Sequence, residues 1–327
     1  MIHRPVLLEL SVEAMALEAG MVVVDGTVGA AGHARAFLQK VLPGGFLLGF
    51  DRDPQVAELA ARELVSAGFT RGKHFEIEVR RFSQVDEALA CRRPPDFDRL
   101  FLDLGVCSLH LDVAERGFSL KRDAPLDMRM NPQEPGSRSA AEIVNGESEA
   151  GLAQIFAEYG EERYARQVAR AIVRARARQP VRATLELREI VARSIPRRAW
   201  PPRIDPATRV FQALRMKANR ELEELDEILG KLPGHMKPGS RAGIISFESL
   251  TDRRIKRAFR AMAQGCVCPP EQPVCTCGRK PQFKLVNSRV ISAGPDEIGV
   301  NPRARSAKLR VVERLQESSK AEAAAGG

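Results

Sequence analysis

Asp25, Asp51 and Asp103 each stand where a short apolar run ends, and a G-x-x-G-x-x-G turn of Gly26, Gly29 and Gly32 follows the first of them. A strand, a glycine turn and a helix bring backbone N–H groups beside a bound nucleotide-like group, and an acid closing the next strand can accept both ribose hydroxyls. The spacing departs from G-x-G-x-x-G, and Asp25 would face a pyrophosphate with like charge, which argues against a dinucleotide. S-adenosylmethionine carries a sulfonium and an amino group but no phosphate, so it suits three acids better. A single strand-end aspartate more often caps a helix or holds a turn; the joint occurrence of three favours a cofactor site.

A second chemistry is written in charge. The 327-residue chain has a formal net charge of +9, and residues 161–220 hold fifteen arginines and one lysine against five acids, so the rest of the chain is slightly acidic. A local positive field of that size suits a polyanion such as nucleic acid, whose condensed counterions are released on binding. Arg163, Arg166, Arg170 and Arg174 recur at three- and four-residue spacing while Val168, Ile172 and Val173 fall on another side, predicting a helix with one packed and one basic face. A solvated arginine-rich surface is the plainer alternative. Aromatic residues are only 5% of the chain, so phosphate contacts rather than broad base stacking should carry affinity.

A third possibility lies in Cys266, Cys268, Cys275 and Cys277, which form C-x-C-x₆-C-x-C in a proline-rich stretch. Four thiols within twelve residues could bind zinc, although the spacing is not the usual C-x₂-C pair; free thiols or reversible disulfides are the alternatives. No metal is assigned to the reaction itself. His3 and His74 read as capping or surface histidines.

The elements that must position these groups alternate in the manner of a doubly wound sheet. Strands are predicted over 21–24, 46–50, 75–79 and 99–104, with helices over 33–40 and from Val56 through Leu64. From about 113 to 206 the alternation stops, and loops and helices with proline-rich stretches at 123–136 and 195–206 suggest an insertion. Phe211, Leu214, Ala218, Leu222, Leu225 and Leu229 predict one helix returning to the sheet, followed by strands over 242–247, 284–291 and 307–312. The expected organisation is a core of 1–112 and 207–317, a helical insertion for substrate recognition over 113–206, and a frayed tail over 318–327. Apolar residues at 44% and charged residues at 28% are those of a folded globular chain. No secretory signal or run long enough to span a bilayer is present in the sequence, so the expected location is the cytoplasm, with reduced cysteines.

An ordered set of motifs covers almost the whole chain: HRPVLL at 3–8, DGTVGAAGH at 25–33, FDRDP at 50–54, LDLGV at 102–106, LD at 111–112, ERGFS at 115–119 and APLDMRM at 124–130. EYGEERYARQVARAIV at 158–173, PATRVFQALRM at 206–216, ISFESLTDR at 245–253 and NPRARSAKLRVVER at 301–314 continue it. In these motifs the sequence resembles the bacterial 16S rRNA cytosine-N-4 methyltransferase family (RsmH/MraW type). The resemblance implies an α/β class I methyltransferase with a Rossmann-like sheet and an inserted, mainly helical domain. It also implies S-adenosyl-L-methionine as methyl donor and a cytidine in the decoding region of 16S rRNA, within the small ribosomal subunit, as target.

Carried over by motif position, the family's cofactor contacts fall on Ala31, Gly32, His33, Asp51, Phe82, Asp103 and His110; the reading of the turn itself adds Asp25 and Gly26. Asp51 is expected to hold the ribose and Phe82 to flank the adenine. The family usually has glycine at Ala31, glutamine at His110, serine and proline at Cys107 and Leu109, and histidine at both Asp205 and Glu248. A diverged paralogue with another substrate, or a non-catalytic ribosome-assembly factor of the same fold, is the alternative these departures leave.

The exocyclic amine of cytosine is a poor nucleophile because its lone pair is delocalised into the ring, so acceptors must localise that pair and align it with the methyl group. Asp103, with the carbonyls of Leu104 and Gly105, is the expected catalytic group. The target base must leave its stack, which calls for a pocket wall and a flexible cover; Phe118 and the 123–136 loop are the candidates. Arg116, Arg122 and Arg129 could bind phosphates there or pair with Glu115, Asp123 and Asp127. On the basic helix, Arg166, Arg170 and Arg174 are the expected RNA contacts.

Overall fold

Apolar runs rich in Val, Leu and Phe form strands buried on both faces, and four of them lie parallel: β1 (Val22–Asp25), β2 (Phe46–Asp51), β3 (Phe75–Val79) and β4 (Phe97–Asp103). The computed structural model describes residues 5–91, 96–202, 204–269 and 271–316. His3 and the tail expected at 318–327 lie outside them. By contact the chain divides into two compact units, Met1–Gly105 with Asp226–Gly327, and Val106–Leu225.

In the first unit β5 (Met236–Ser246) extends the parallel sheet beside β4, and β7 (Lys308–Arg314) pairs antiparallel with both β5 and the edge strand β6 (Phe283–Leu285). The order β3-β2-β1-β4-β5-β7-β6 is that of a Rossmann-like, class I methyltransferase sheet. Helices α1 (Leu8–Met15), α2 (Gly32–Val41), α3 (Pro54–Ser66) and α4 (Val85–Ala90) belong to the same unit. Phe37 of α2 meets Phe101 of β4 edge-on at 5.0 Å in a core that also holds Val23, Leu47 and Phe75. Each fully buried side chain of this size contributes roughly 1.5–3 kcal/mol.

Two expectations about this unit change. The strand expected over 284–291 is only three residues long at Phe283–Leu285, because the Asn287 side chain then takes the Val311 N–H and reaches the Arg289 carbonyl in place of ladder bonds. An amphipathic helix, α12 (Ser249–Ala263), follows β5; the sequence reading did not include it.

The second unit is helical: α5 (Ser108–Asp112), α6 (Ala140–Gly146), α7 (Glu149–Gly160), α8 (Ala165–Arg176), α9 (Thr184–Ser194) and α10 (Thr208–Ala218). Its own core includes Phe156, Val168, Ile172, Leu187, Phe211 and Leu214. Gly160 lets α7 approach α10, since a Cβ there would stand 2.4 Å from the Arg209 carbonyl. The single helix expected from Phe211 to Leu229 is two. Asn219 ends α10 by binding the Met128 and Arg215 carbonyls and the Met130 N–H, and Arg220 turns back at φ 52° before α11 (Glu221–His235). Phe211 and Leu214 therefore pack in the helical unit, not on the sheet.

Candidate active site

The register of the sheet sets the three strand-end acids. Asp25 lies across from Gly49 of β2 and Phe101 of β4, so Asp51 and Asp103 stand two residues farther along on either side. Side chains alternate between faces with a period of two, which puts all three carboxylates on one face, with Asp25 recessed by roughly 6–7 Å.

The glycine turn is stitched to both neighbouring strands. Gly26 N–H continues the ladder to the Phe101 carbonyl, Val28 N–H reaches the Phe50 carbonyl, and Gly29 N–H donates to Asp51 Oδ2 at 3.2 Å. Asp51 Oδ1 accepts from Asp53 N–H at 3.0 Å. Phe82 opens a short turn after β3 and packs against the turn: a Cβ on Gly26 would come 2.8 Å from the Phe82 Cβ and 2.4 Å from a Leu102 methyl. Glycine at 26 is thus a requirement of close packing beside the strand-end acids.

Asp25 is buried; its Oδ1 accepts from Thr27 N–H at 3.2 Å and its Oδ2 has no partner. Burial pushes its pKa up to about 7, against the Thr27 hydrogen bond and with help from the negative charge of Asp51. Asp103 is held by its backbone, whose N–H donates to Thr27 Oγ1 at 2.6 Å, and its Oδ1 is likewise buried without a partner. Desolvation first and the neighbouring Asp25 second raise its pKa to about 7 as well. Two carboxyl oxygens held out of water with nothing to accept from are costly in the free protein. The arrangement is relieved by a cation or by hydrogen-bond donors placed among the acids.

His33 does not stand in the open. It is buried, its ring lies 4.7 Å from that of Phe101, its Nε2 bonds the Val6 carbonyl at 3.0 Å, and its Nδ1 faces Asp103 Oδ2 at 3.8 Å. Because a carbonyl only accepts, Nε2 carries the proton, and the imidazole stands behind Asp103. Gly32 begins α2 beneath the amino-terminal segment, where a Cβ would strike the Pro5 ring at 2.1 Å. Ala31 takes φ 61° and ψ 17°, a left-handed conformation that costs an L-residue about 1–2 kcal/mol, and its methyl group is buried. Gly105, at φ 139°, needs to be glycine for conformational reasons, and Phe247 lies 3.4 Å from where its Cβ would be.

The remaining expected site residues belong to the helical unit. His110 is buried, stacked on Phe118 at 5.1 Å, with Nδ1 3.5 Å from Cys107 Sγ. The 123–136 segment, expected to be a flexible cover, is pinned: Leu126, Met128 and Met130 are buried, and Asn219 holds the Met128 carbonyl and the Met130 N–H. Arg116 donates to the Arg129 and Met130 carbonyls, and Arg129 forms a bidentate pair with Asp127 at 2.7 and 2.8 Å. Burial raises the Asp127 pKa, but the Arg129 hydrogen bonds win and hold it below the usual carboxylate range. Arg129 thus takes the ion-pair role weighed for it, and Arg116 braces the loop through backbone carbonyls. Asp205 pairs with Arg188 at 2.6 Å and caps the start of α10 through the Ala207 N–H. Glu248 lies at the start of α12, after β5.

On α8 the expected division holds. Val168 and Ile172 are buried, whereas Arg166, Arg170 and Arg174, and Arg163 just before the helix, are exposed. Arg170 makes a long contact of 3.4 Å with Glu149, too exposed to contribute much. Sequence reasoning missed Thr27, whose hydroxyl locks Asp103 to the turn, and the packing of Pro5 and Val6 over α2; the side-chain types alone carry no signal for either.

A sequence model of the MraW methylase family matches residues 1–315. A protein of Geobacter sulfurreducens named ribosomal RNA small subunit methyltransferase H is 48% identical over 313 residues, 96% of this chain and 99% of that protein. Proteins of the same name from Syntrophotalea carbinolica and Myxococcus xanthus are each 46% identical, over 96% of this chain and 98% of their own lengths. No helix among the described residues is long and apolar enough to cross a membrane.

Proposed function

The chain belongs to the MraW methylase family, and from that premise we propose that it transfers a methyl group from S-adenosylmethionine to the N-4 amine of a cytidine in the decoding region of 16S rRNA, within the small ribosomal subunit. The observation that supports this reading most is the pair of buried, unpartnered carboxyl oxygens on Asp25 and Asp103. They match a cofactor that brings cationic and donor groups and no phosphate.

When bound, S-adenosylmethionine supplies an activated methyl group. Asp51, at the end of β2, accepts the two ribose hydroxyls, and Phe82, packed on Gly26, offers an apolar edge to the adenine. Asp25 and the turn at Gly26 hold the amino-acid end, where an ammonium brings down the raised carboxyl pKa. Ala31, Gly32 and His33 shape the turn and support Asp103 from behind.

Asp103 has the catalytic role. Its carboxylate accepts a hydrogen of the target amine, and the carbonyls of Leu104 and Gly105 supply further acceptors, which draws the nitrogen lone pair out of the ring. The same carboxylate takes the proton that the amine sheds as its new bond to carbon forms. Within the helical unit, Phe118, stacked on His110, is assigned to contact with the target base. Arg166, Arg170 and Arg174 attract the phosphates; Arg116 and Arg129 act chiefly by holding the loop that carries Met128.

Labelled S-adenosylmethionine offered to undermethylated small subunits, to naked 16S rRNA and to 23S rRNA tests the substrate. Label in 16S rRNA, highest in the subunit, is the expected result. Cofactor binding by calorimetry with no label in any of the three would remove the catalytic reading in favour of an assembly factor.

A further inference from the structure

Between α12 and β6 the chain runs through residues 264–282 with no helix or strand among the described residues. A connection of that length inside a folded unit needs something to hold it, and this one has no core of its own. Val267 and Val274 are 51% and 71% exposed, and the side-chain hydrogen bonds of Gln264 and Gln272 stay local. The four cysteines of this segment nevertheless converge. Their sulfurs all lie within 4.8 Å of one another, with individual separations of 3.3 Å for Cys266–Cys275, 3.5 Å for Cys275–Cys277, 3.8 Å for Cys266–Cys277 and 3.9 Å for Cys268–Cys275.

We propose that Cys266, Cys268, Cys275 and Cys277 form a structural tetrathiolate site for zinc that folds this connection. The separations exceed the roughly 2.05 Å of a disulfide by far. They bracket the edge of about 3.8 Å that a regular tetrahedron of sulfurs has around zinc at Zn–S bonds of ~2.3 Å. The Cys268 N–H points at Cys266 Sγ at 3.4 Å, a backbone contact that helps hold this sulfur in place. Gly278 follows Cys277 at φ 60°, a left-handed turn that glycine takes without strain and that reverses the chain after the last sulfur. On binding, the four thiols lose four protons to solvent and the dication becomes a dianionic centre, whose charge Arg279 and Lys280, next in sequence, offset.

This site is separate from the strand-end acids. In the chain it precedes β6, the edge strand, with β7 and β5 between that strand and β4. Its role is therefore to anchor the three-residue edge strand and to fix the basic residues that follow Cys277.

The test uses the untagged full chain, purified anaerobically without chelator from zinc-supplemented culture. Elemental mass spectrometry should find about one zinc per chain, and a mercurial reagent should release it in step with the loss of four thiols. The C275S/C277S variant should lose the metal and gain protease cleavage within 264–282 while keeping S-adenosylmethionine binding. Exchange with cobalt in the wild-type chain should give the thiolate charge-transfer and visible bands of a tetrahedral centre, a readout that does not depend on how the variant folds. A chain without metal whose four cysteines react freely, or one in which they are paired as disulfides, overturns the proposal.

Discussion

The rim of strand-end acids and the arginine face of α8 are both charged, yet they are built in opposite ways. At the rim, backbone N–H groups hold the carboxylates of Asp51, through Gly29 and Asp53, and of Asp25, through Thr27, while Asp103 is anchored by its own N–H on the Thr27 hydroxyl. On α8 the guanidinium groups stand exposed at helical spacing, and only the underside of the helix is packed. Under the proposed function, charge that meets one small molecule in one pose is buried and positioned, and charge that meets a polyanion is exposed and repeated. A substitution in the first region should therefore act as a step, and in the second as a gradient.

The largest effect expected is from Asp103→Asn, which keeps shape but removes the anionic acceptor. Methyl transfer should fall by about 10²-fold or more with the fold intact by circular dichroism. Retention of full turnover would erase the distinction between the two regions. Next, neutralising Arg166, Arg170 and Arg174 together should weaken RNA binding and flatten the dependence of log K on log salt by about three units, one per lost phosphate contact, with turnover at saturating RNA nearly unchanged. Each single variant should give about a third of that change in slope. A single arginine carrying the whole effect would make α8 a positioned site like the rim.

Acidity sharpens the contrast further. Asp25 and Asp103 have pKa values raised to about 7, so both gain protons between their ordinary range and neutrality, and a cationic cofactor must displace those protons. Affinity for S-adenosylmethionine should rise with pH toward 8 and fall below 7, by about tenfold per pH unit for each proton displaced; calorimetry in buffers of different ionisation enthalpy counts the protons. Stability of the free protein should run the other way. A carboxyl with a raised folded pKa stabilises the fold fully below its unfolded value near 4, and that contribution is lost as pH rises through about 7. The smallest effect is expected at Ala31→Gly. Relief of the left-handed strain is offset by the lost burial of one methyl group and by the greater freedom of glycine when unfolded, leaving a change within about 1 kcal/mol in denaturant unfolding.

The rim was legible in the sequence because each of its strands is an apolar run closed by an aspartate, a pattern that fixes both the element and the end of it. The face of α8 was legible for the same reason at a different period. What could not be read depends on partners distant in sequence. Arg129 looks as free as Arg166 until the loop brings it back onto Asp127, and Arg116 is claimed by carbonyls thirteen and fourteen residues away. The break at Asn219 and Arg220 carries no glycine or proline signal; it exists because the Asn219 side chain takes backbone groups of the 123–136 segment. In α12 the charges obscure an apolar stripe of few residues, chiefly Ile255 and Phe259, so its period is weak. The cysteine cluster could be suspected from spacing, but the convergence of its sulfurs is a property of the folded loop.

The most direct test of the central assignment is the identity of the modified nucleoside. Small subunits methylated by this protein with labelled S-adenosylmethionine should be digested to nucleosides and separated by mass spectrometry. Label in a cytidine methylated on its exocyclic nitrogen is the predicted result, since the role proposed for Asp103 is to activate an amine. Label on a ring carbon or another base would contradict the role given to Asp103 and require a different nucleophile at the end of β4.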